Sequence, residues 1–308
     1  MQMIRYVLLG VVLVFTLSFL TACETGDDRE VRSPWQGGMH GLVGEFDVEA
    51  IGTVGEGRQR ASVWSDESFP VLVEFENLGE YTIPANKVEM EIVGISENDF
   101  SGLTFNKDNT EEIRGVTERF DGGIYYADFG DARYNELSGS QHTSTIALEY
   151  TYPYETYINI PRVCYSYDVR DDSICRVDSS RRAFSSGGPI RVKSVEQSFI
   201  GRDKMMLEIK VEHVGADSAR MKSRESDSFD DRQNEAYFTV DDPDWDCRSR
   251  QGETNVVRIR SEGDQEGTIR CTYENLEEGA NHVSALQLDL EYYYKDRTSM
   301  DVTIKDPY

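Results

Sequence analysis

Histidine, lysine, proline and cysteine are all scarce in this chain: 308 residues hold 4 His, 8 Lys, 8 Pro and 5 Cys. The histidines, His40, His142, His213 and His282, are scattered, and none forms an H-E-x-x-H helix motif or a short metal-binding pair. No G-x-S-x-G elbow, P-loop or dinucleotide-binding glycine pattern occurs, so the chain has none of the nucleophile or phosphate-cradling signatures those motifs encode. N-x-S/T sequons are also missing. Positive charge is in deficit, with 32 Lys and Arg against 57 Asp and Glu and a net charge of −25. A field of that sign repels polyanions, which argues against a nucleic-acid partner. With so many acids, a carboxylate pair carries almost no information. A carbohydrate-active enzyme built from carboxylates on distant strands therefore remains an alternative, as does an accessory module of one.

Long apolar runs are confined to one place. Arg5 supplies a basic start, Tyr6 to Phe19 is almost wholly apolar, and Leu20-Thr21-Ala22-Cys23 closes the segment with small residues before polarity begins at Glu24. The order resembles prokaryotic lipoprotein signals, which are cut before the cysteine and acylated on its sulfur. The resemblance implies lipidation at Cys23, an extracytoplasmic protein anchored to the cell membrane or outer envelope, and a signal peptide spanning 1–22. A simple secretory signal and an uncleaved anchor are the rival readings, although the apolar run is shorter than the ~20 residues of a spanning helix. Residues 23–40, polar and glycine-containing, read as a flexible tether in which Trp35 and His40 lack periodic apolar neighbours.

Setting Cys23 aside leaves Cys164, Cys175, Cys247 and Cys271, an even number in an exported chain, which favours disulfides. Of three possible pairings, Cys164–Cys175 and Cys247–Cys271 each close a local loop, the second contributing roughly 3 kcal/mol on the chain-entropy account. A zinc site is the rival, but paired C-x-x-C spacing and nearby histidines are lacking.

From residue 41 the dominant pattern is alternation with period two. Val71, Val73 and Phe75 form one inward row, Val88, Met90 and Ile92 another, and Ile146, Leu148, Tyr150, Tyr152 and Tyr154 a third. Turn clusters separate the runs, as at 77–79, 121–123, 185–189 and 277–279. Tyr292 and Tyr294 continue the face of Leu286, Leu288 and Leu290, so they are expected inside, with Tyr293 outside. Two stretches break the pattern. Residues 106–117 read as a loop or at most a short helix, and 217–235 as a polar surface excursion.

The chain also repeats itself. VLVEFENLGE at 71–80 matches LEIKVEHVGA at 207–216, an offset of 136, and LEYTYPYETYINI from 148 resembles LEYYYKDRTSMDVTI from 290, an offset of 142. The expected fold is all-β: two tandem immunoglobulin-like antiparallel β-sandwiches, domain 1 over 41–186 and domain 2 over 187–308, behind the N-terminal signal and tether. The strand Val71–Phe75 followed by Asn77-Leu78-Gly79 resembles CARDB-like and related immunoglobulin-like modules of prokaryotic surface proteins, with His213 standing where Asn77 does in the second copy. The tyrosine-rich closing strands are similar to those of uncharacterised secreted archaeal proteins. The resemblance implies adhesion, spacing or binding of an extracellular protein or glycan, and it transfers no catalytic residue.

No cofactor is called for, with one candidate exception. Asp242, Asp244 and Asp246 alternate and Glu253 stands at position 12 from Asp242, echoing a calcium loop, yet Cys247 replaces the glycine that such a loop needs at position 6. Asp168, Asp171 and Asp172 inside the Cys164–Cys175 loop form a second acidic cluster. The function these observations favour is a lipid-anchored surface binding or adhesion protein without catalytic activity. A structural subunit of an envelope assembly, joined by pairing of strand edges, is the alternative.

Overall fold

The computed structural model describes residues 31–308, apart from positions 52, 55–58, 169, 202, 262, 264 and 275. The signal segment and residues 23–30 of the tether, Cys23 included, lie outside the described residues. Among the described residues there is no helix, and the chain is all-β. The first half supplies β1 (Leu42–Phe46), β2 (Thr53–Val54), β3 (Arg60–Trp64), β4 (Phe69–Asn77), β5 (Glu89–Val93), β6 (Phe100–Ser101), β7 (Asn106–Asp108), β8 (Ile124–Tyr134) and β9 (Gln141–Ser166). The second supplies β10 (Ser179–Arg181), β11 (Phe184–Ser185), β12 (Ile190–Phe199), β13 (Met205–His213), β14 (Arg220–Ser223), β15 (Gln233–Val240), β16 (Trp245–Ser249), β17 (Val256–Arg260), β18 (Glu266–Tyr273) and β19 (Asn281–Lys305).

Three sheets result. A four-stranded sheet, β1-β4-β8-β6, belongs to the first half, and a five-stranded sheet, β10-β12-β13-β18-β16, to the second. The third is common to both, running β17-β15-β19-β9-β5-β7, with β3, β14 and β11 filling its margins. Its spine is the antiparallel pair of β9 and β19, joined at 24 positions from Asn281↔Ser166 to Lys305↔Gln141. Each smaller sheet closes a sandwich against this shared layer. Residues 33–308 form one compact unit, and one continuous core contains Phe75 and Val73 of β4 as well as Ile209 and Val211 of β13.

Local chemistry explains why strands this long survive three prolines. Pro153 of β9 faces Tyr293, between the stretch covered by β5 (147–151) and that covered by β11 (158–159), so one side of β9 is unpaired there and a missing N–H costs little. Pro161 sits in the register shift between Ser284 and Leu286, and Pro70 beside the shift between Pro70 and Leu72.

The repeat is expressed in space. β4 and β13 are both nine residues long with identical alternation of buried and half-buried positions, and their partners keep step: Leu42 lies opposite Asn77 as Ile190 lies opposite His213. The tyrosines refine the sequence match. Tyr152 donates to the Leu42 carbonyl and accepts from its amide (3.3 and 3.0 Å), and the Tyr292 hydroxyl lies at the Ile190 backbone while bonded to Thr156 (2.8 Å). Tyr154 accepts from the Tyr81 amide (3.4 Å) beside Glu80, and Tyr294 lies at the Ala216 backbone. A Cβ on Gly79 would collide with the Tyr154 hydroxyl, and one on Gly215 with that of Tyr294. The equivalent tyrosines are therefore 140 residues apart, not 142. A two-residue slide keeps every side chain on the same face of a strand, so alternation alone does not fix it.

Two stretches depart from expectation. Within 217–235, β14 pairs with Arg220–Lys295 to Ser223–Tyr292 register on β19, and Ala219 and Met221 are buried. The free edge of β19 between β15 and β3 supplies the backbone partners, so a polar sequence still forms a strand. Residues 106–108 form β7 on the edge of β5, and Ile113 bridges Ile83; no helix forms.

Burial places two ionisable groups under opposing strain. Desolvation pushes the Asp296 carboxyl above its ordinary range while Tyr150 donates to it (3.4 Å), and desolvation pushes the His213 imidazole down, with Gln265 and Tyr294 as its ring partners at 2.9 and 3.0 Å. A raised carboxyl means that the folded state holds its proton where the unfolded chain has lost it, so ionised Asp296 costs stability at neutral pH and that cost disappears as pH falls below ~3.9. The imidazole acts with opposite sign, destabilising the fold as pH drops below ~6.5. Asp296→Asn, which keeps an oxygen acceptor for Tyr150, is expected to raise the melting temperature at pH 7. The gain should shrink towards zero near pH 4 in calorimetric scans, and a gain independent of pH would refute the assignment.

Candidate functional site

The cysteines pair as expected. Cys164 of β9 bonds Cys175, tying the spine to the loop before β10, and Cys247 bonds Cys271 directly across β16 and β18. The four calcium candidates do not converge. Asp242 accepts the Asp244 amide (3.0 Å) and closes a turn, Asp246 points outward from β16 to Arg248 (3.1 Å), and Glu253 pairs with Arg258 (2.8 Å). The physical cause is β16 itself, which starts at Trp245 and extends the chain where a calcium loop must curl. Among the described residues no group of three or more His, Cys, Asp or Glu is placed to hold a metal ion. The second acidic cluster also serves turns: Asp168 accepts the Arg170 amide, and Asp171 accepts from Ser173 and Asn281.

Of the histidines, His142 stacks on Tyr134 and His282 on Tyr165, while His213 is buried on Tyr294. Tyr292 and Tyr294 are inside, and Tyr293 and Tyr126 are exposed.

A feature shaped for a ligand lies elsewhere. Glu80, just after β4, accepts the amides of Gln36 (2.9 Å), Gly37 (3.4 Å) and Gly187, and so holds residues 36–37 against the turn before β12. That places Trp35 over Tyr157 of β9, with ring centroids 6.4 Å apart and planes within 17°. Tyr157 donates to Glu155 (2.6 Å), and desolvation followed by that carboxylate pushes its phenol well up, so it stays a neutral donor. The two rings border a cavity of about 310 Å³ whose wall includes Gln36, Glu80, Val116 and Glu118. An aromatic floor flanked by carboxylates and an amide suits a sugar, whose C–H face packs on a ring while its hydroxyls donate to the acids. Sequence reasoning passed over Trp35 as part of a polar tether. The available signal was a tryptophan standing alone among polar residues, which has no reason to be there unless it meets a partner.

No protein-family model matches the chain, and no curated protein matches it. Among solved structures it is similar to the secreted serine protease VesC from Vibrio cholerae, at 10% identity and a TM-score of 0.22, over 80% of this chain and 52% of that one. The chain thus spans about half the length of that structure, and a likeness so distant assigns neither activity nor site.

Proposed function

We propose that the protein is a lipid-anchored, extracytoplasmic binding protein of the prokaryotic cell surface, without catalytic activity, that holds a glycan on the Trp35–Tyr157 shelf. The shelf is the observation that carries the reading: an aromatic pair, braced by Glu80, beside two carboxylates and a cavity of sugar size. Two disulfides support an oxidising compartment. The Cys23 lipobox supplies the anchor and resembles those of surface lipoproteins. The CARDB-like strand at 71–79 agrees with a spacer or adhesion role.

The test has two arms. Titration of neutral and acidic oligosaccharides should quench tryptophan fluorescence in the natural protein, and Trp35→Ala should weaken binding at least tenfold with the melting temperature little changed, since truncating a half-buried platform removes about 1.4 kcal/mol or more of contact. Cys23→Ser should abolish labelling by radioactive palmitate and shift the protein from the detergent to the aqueous phase. Equal glycan affinity in Trp35→Ala would remove the shelf, and an unlabelled natural protein would remove the anchor.

A further inference from the structure

A second cavity carries the opposite chemistry. β16 leaves the edge of β18 after Ser249, where the chain turns and the Arg250 amide bonds the Thr268 carbonyl (3.0 Å). β18 therefore runs on through Glu266 to Thr268 without β16 beside it, while β17 continues alongside in the shared sheet. Between them opens a cavity of about 440 Å³, and its walls bring together Lys210, Arg232, Arg250, Arg258 and Arg260, with Glu266 the one acid. In a chain with 25 more acids than bases, this is a local reversal of sign.

The acids nearby are already occupied. Glu266 is paired with Lys193, which holds its carboxyl below the usual range. Glu235 and Glu253 clamp Arg258 at 2.9 and 2.8 Å. Among the described residues, Lys210, Arg232, Arg250 and Arg260 make no ion pair; Lys210 helps to hold the Glu266 carboxyl down, and the three arginines face the cavity without an acidic partner. The shared framework does not require them. At the position matching Lys210 the first copy carries Glu74, which lies opposite Glu45 on an acidic face.

We infer that this groove binds a compact, multiply charged oxyanion: a phosphate or sulfate ester, or its inorganic counterpart. Guanidinium forks match the oxygens of phosphate and sulfate, and three unpaired arginines call for more than one negative charge. The cavity has the volume of a small-molecule site, and its lining is mostly polar. An extended polyanion is disfavoured, because it would run from the groove onto a strongly acidic surface. The inference stands apart from the glycan shelf, which shares no residue with it.

Calorimetric titration of the full chain at low salt tests it, with inorganic phosphate, sulfate, pyrophosphate and a hexose bisphosphate as probes. Pyrophosphate and the bisphosphate should bind saturably and more tightly than the single oxyanions, with affinity falling as salt rises. R250S and R260S should each weaken binding about tenfold, the worth of one charge-assisted contact. R114S, in the first half of the chain where Arg114 pairs with Glu112, should bind as the natural protein does. Both substituted arginines are exposed, so unchanged melting temperatures show that folding is intact. Tighter binding of the sugar ester than of pyrophosphate identifies an organic ligand, and the reverse an inorganic one. Absence of saturable heat with both pyrophosphate and the bisphosphate, or equal affinity in R250S/R260S, overturns the inference.

Discussion

Replacing Asn109 with alanine is expected to lower the stability of the protein by about 4 kcal/mol, close to the whole margin of a weakly stable domain. The side chain is completely buried and every bonding position on it is used. Its oxygen accepts from the Lys87 and Val88 amides, both at 2.8 Å, and its amide group donates to the Pro84 and Glu111 carbonyls at 2.9 and 2.7 Å. Those four partners belong to the two strands of chain that carry β4 into β5 and leave β7, so one residue ties together a segment with little other regular structure. Alanine would orphan two donors and two acceptors, each worth roughly 1–3 kcal/mol when left buried, with partial relief from entering water. Aspartate should do no better at pH 7, because it keeps the acceptor and presents a carboxylate to two carbonyl oxygens. Urea unfolding monitored by circular dichroism measures the effect, and a loss below about 1 kcal/mol with unchanged slope would show that the network is dispensable.

Asn109 also marks where sequence reading ends. The stretch KDNTEE looks like any polar turn, and nothing local says that its asparagine is buried, because its partners lie more than twenty residues away at Pro84, Lys87 and Val88. The strands were legible for the opposite reason. Val71, Val73 and Phe75 declare their face by spacing alone, and all three are fully buried. Both disulfides were legible from parity and loop length. β14 was hidden because its stability comes from the exposed edge of β19, supplied by residues seventy positions later. The calcium candidate failed for a related reason: residue types at 242, 244, 246 and 253 fit a coordination list, but Trp245 and Cys247 belong to an inward strand face that straightens the chain. The shelf and the basic groove are both products of tertiary structure. Trp35 meets Tyr157 across 122 positions, and Lys210 meets Arg250 and Arg260 only because β17 and β18, consecutive in the chain, sit in different sheets.

The largest long-range effect is expected at the centre of the spine. Tyr152→Ala should cost about 4 kcal/mol, the usual price of truncating a buried aromatic, and the loss should be felt equally in both halves of the chain. Tyr152 is fully buried opposite Tyr294 of β19, their rings 5.6 Å apart, while its hydroxyl satisfies both backbone groups of Leu42 in the first small sheet. Tyr294 in turn bonds His213 of the second small sheet. A chain of contacts therefore runs from β1 through the two central strands to β13. Neither sandwich owns its inner layer: the first depends on β9 and the second on β19, and each of those strands has the other along 24 positions. Unfolding one half would strip that pairing from the other and expose its apolar side, a cost far above what either small sheet contributes alone. Residues 33–308 should accordingly melt in a single calorimetric transition. Hydrogen exchange should give one opening free energy for the amides of β4 and β13, and Tyr152→Ala should lower both by the same amount. Two resolved transitions, or protection lost from β4 while β13 keeps its own, would mean that the duplicated halves are thermodynamically separate despite the sheet they share.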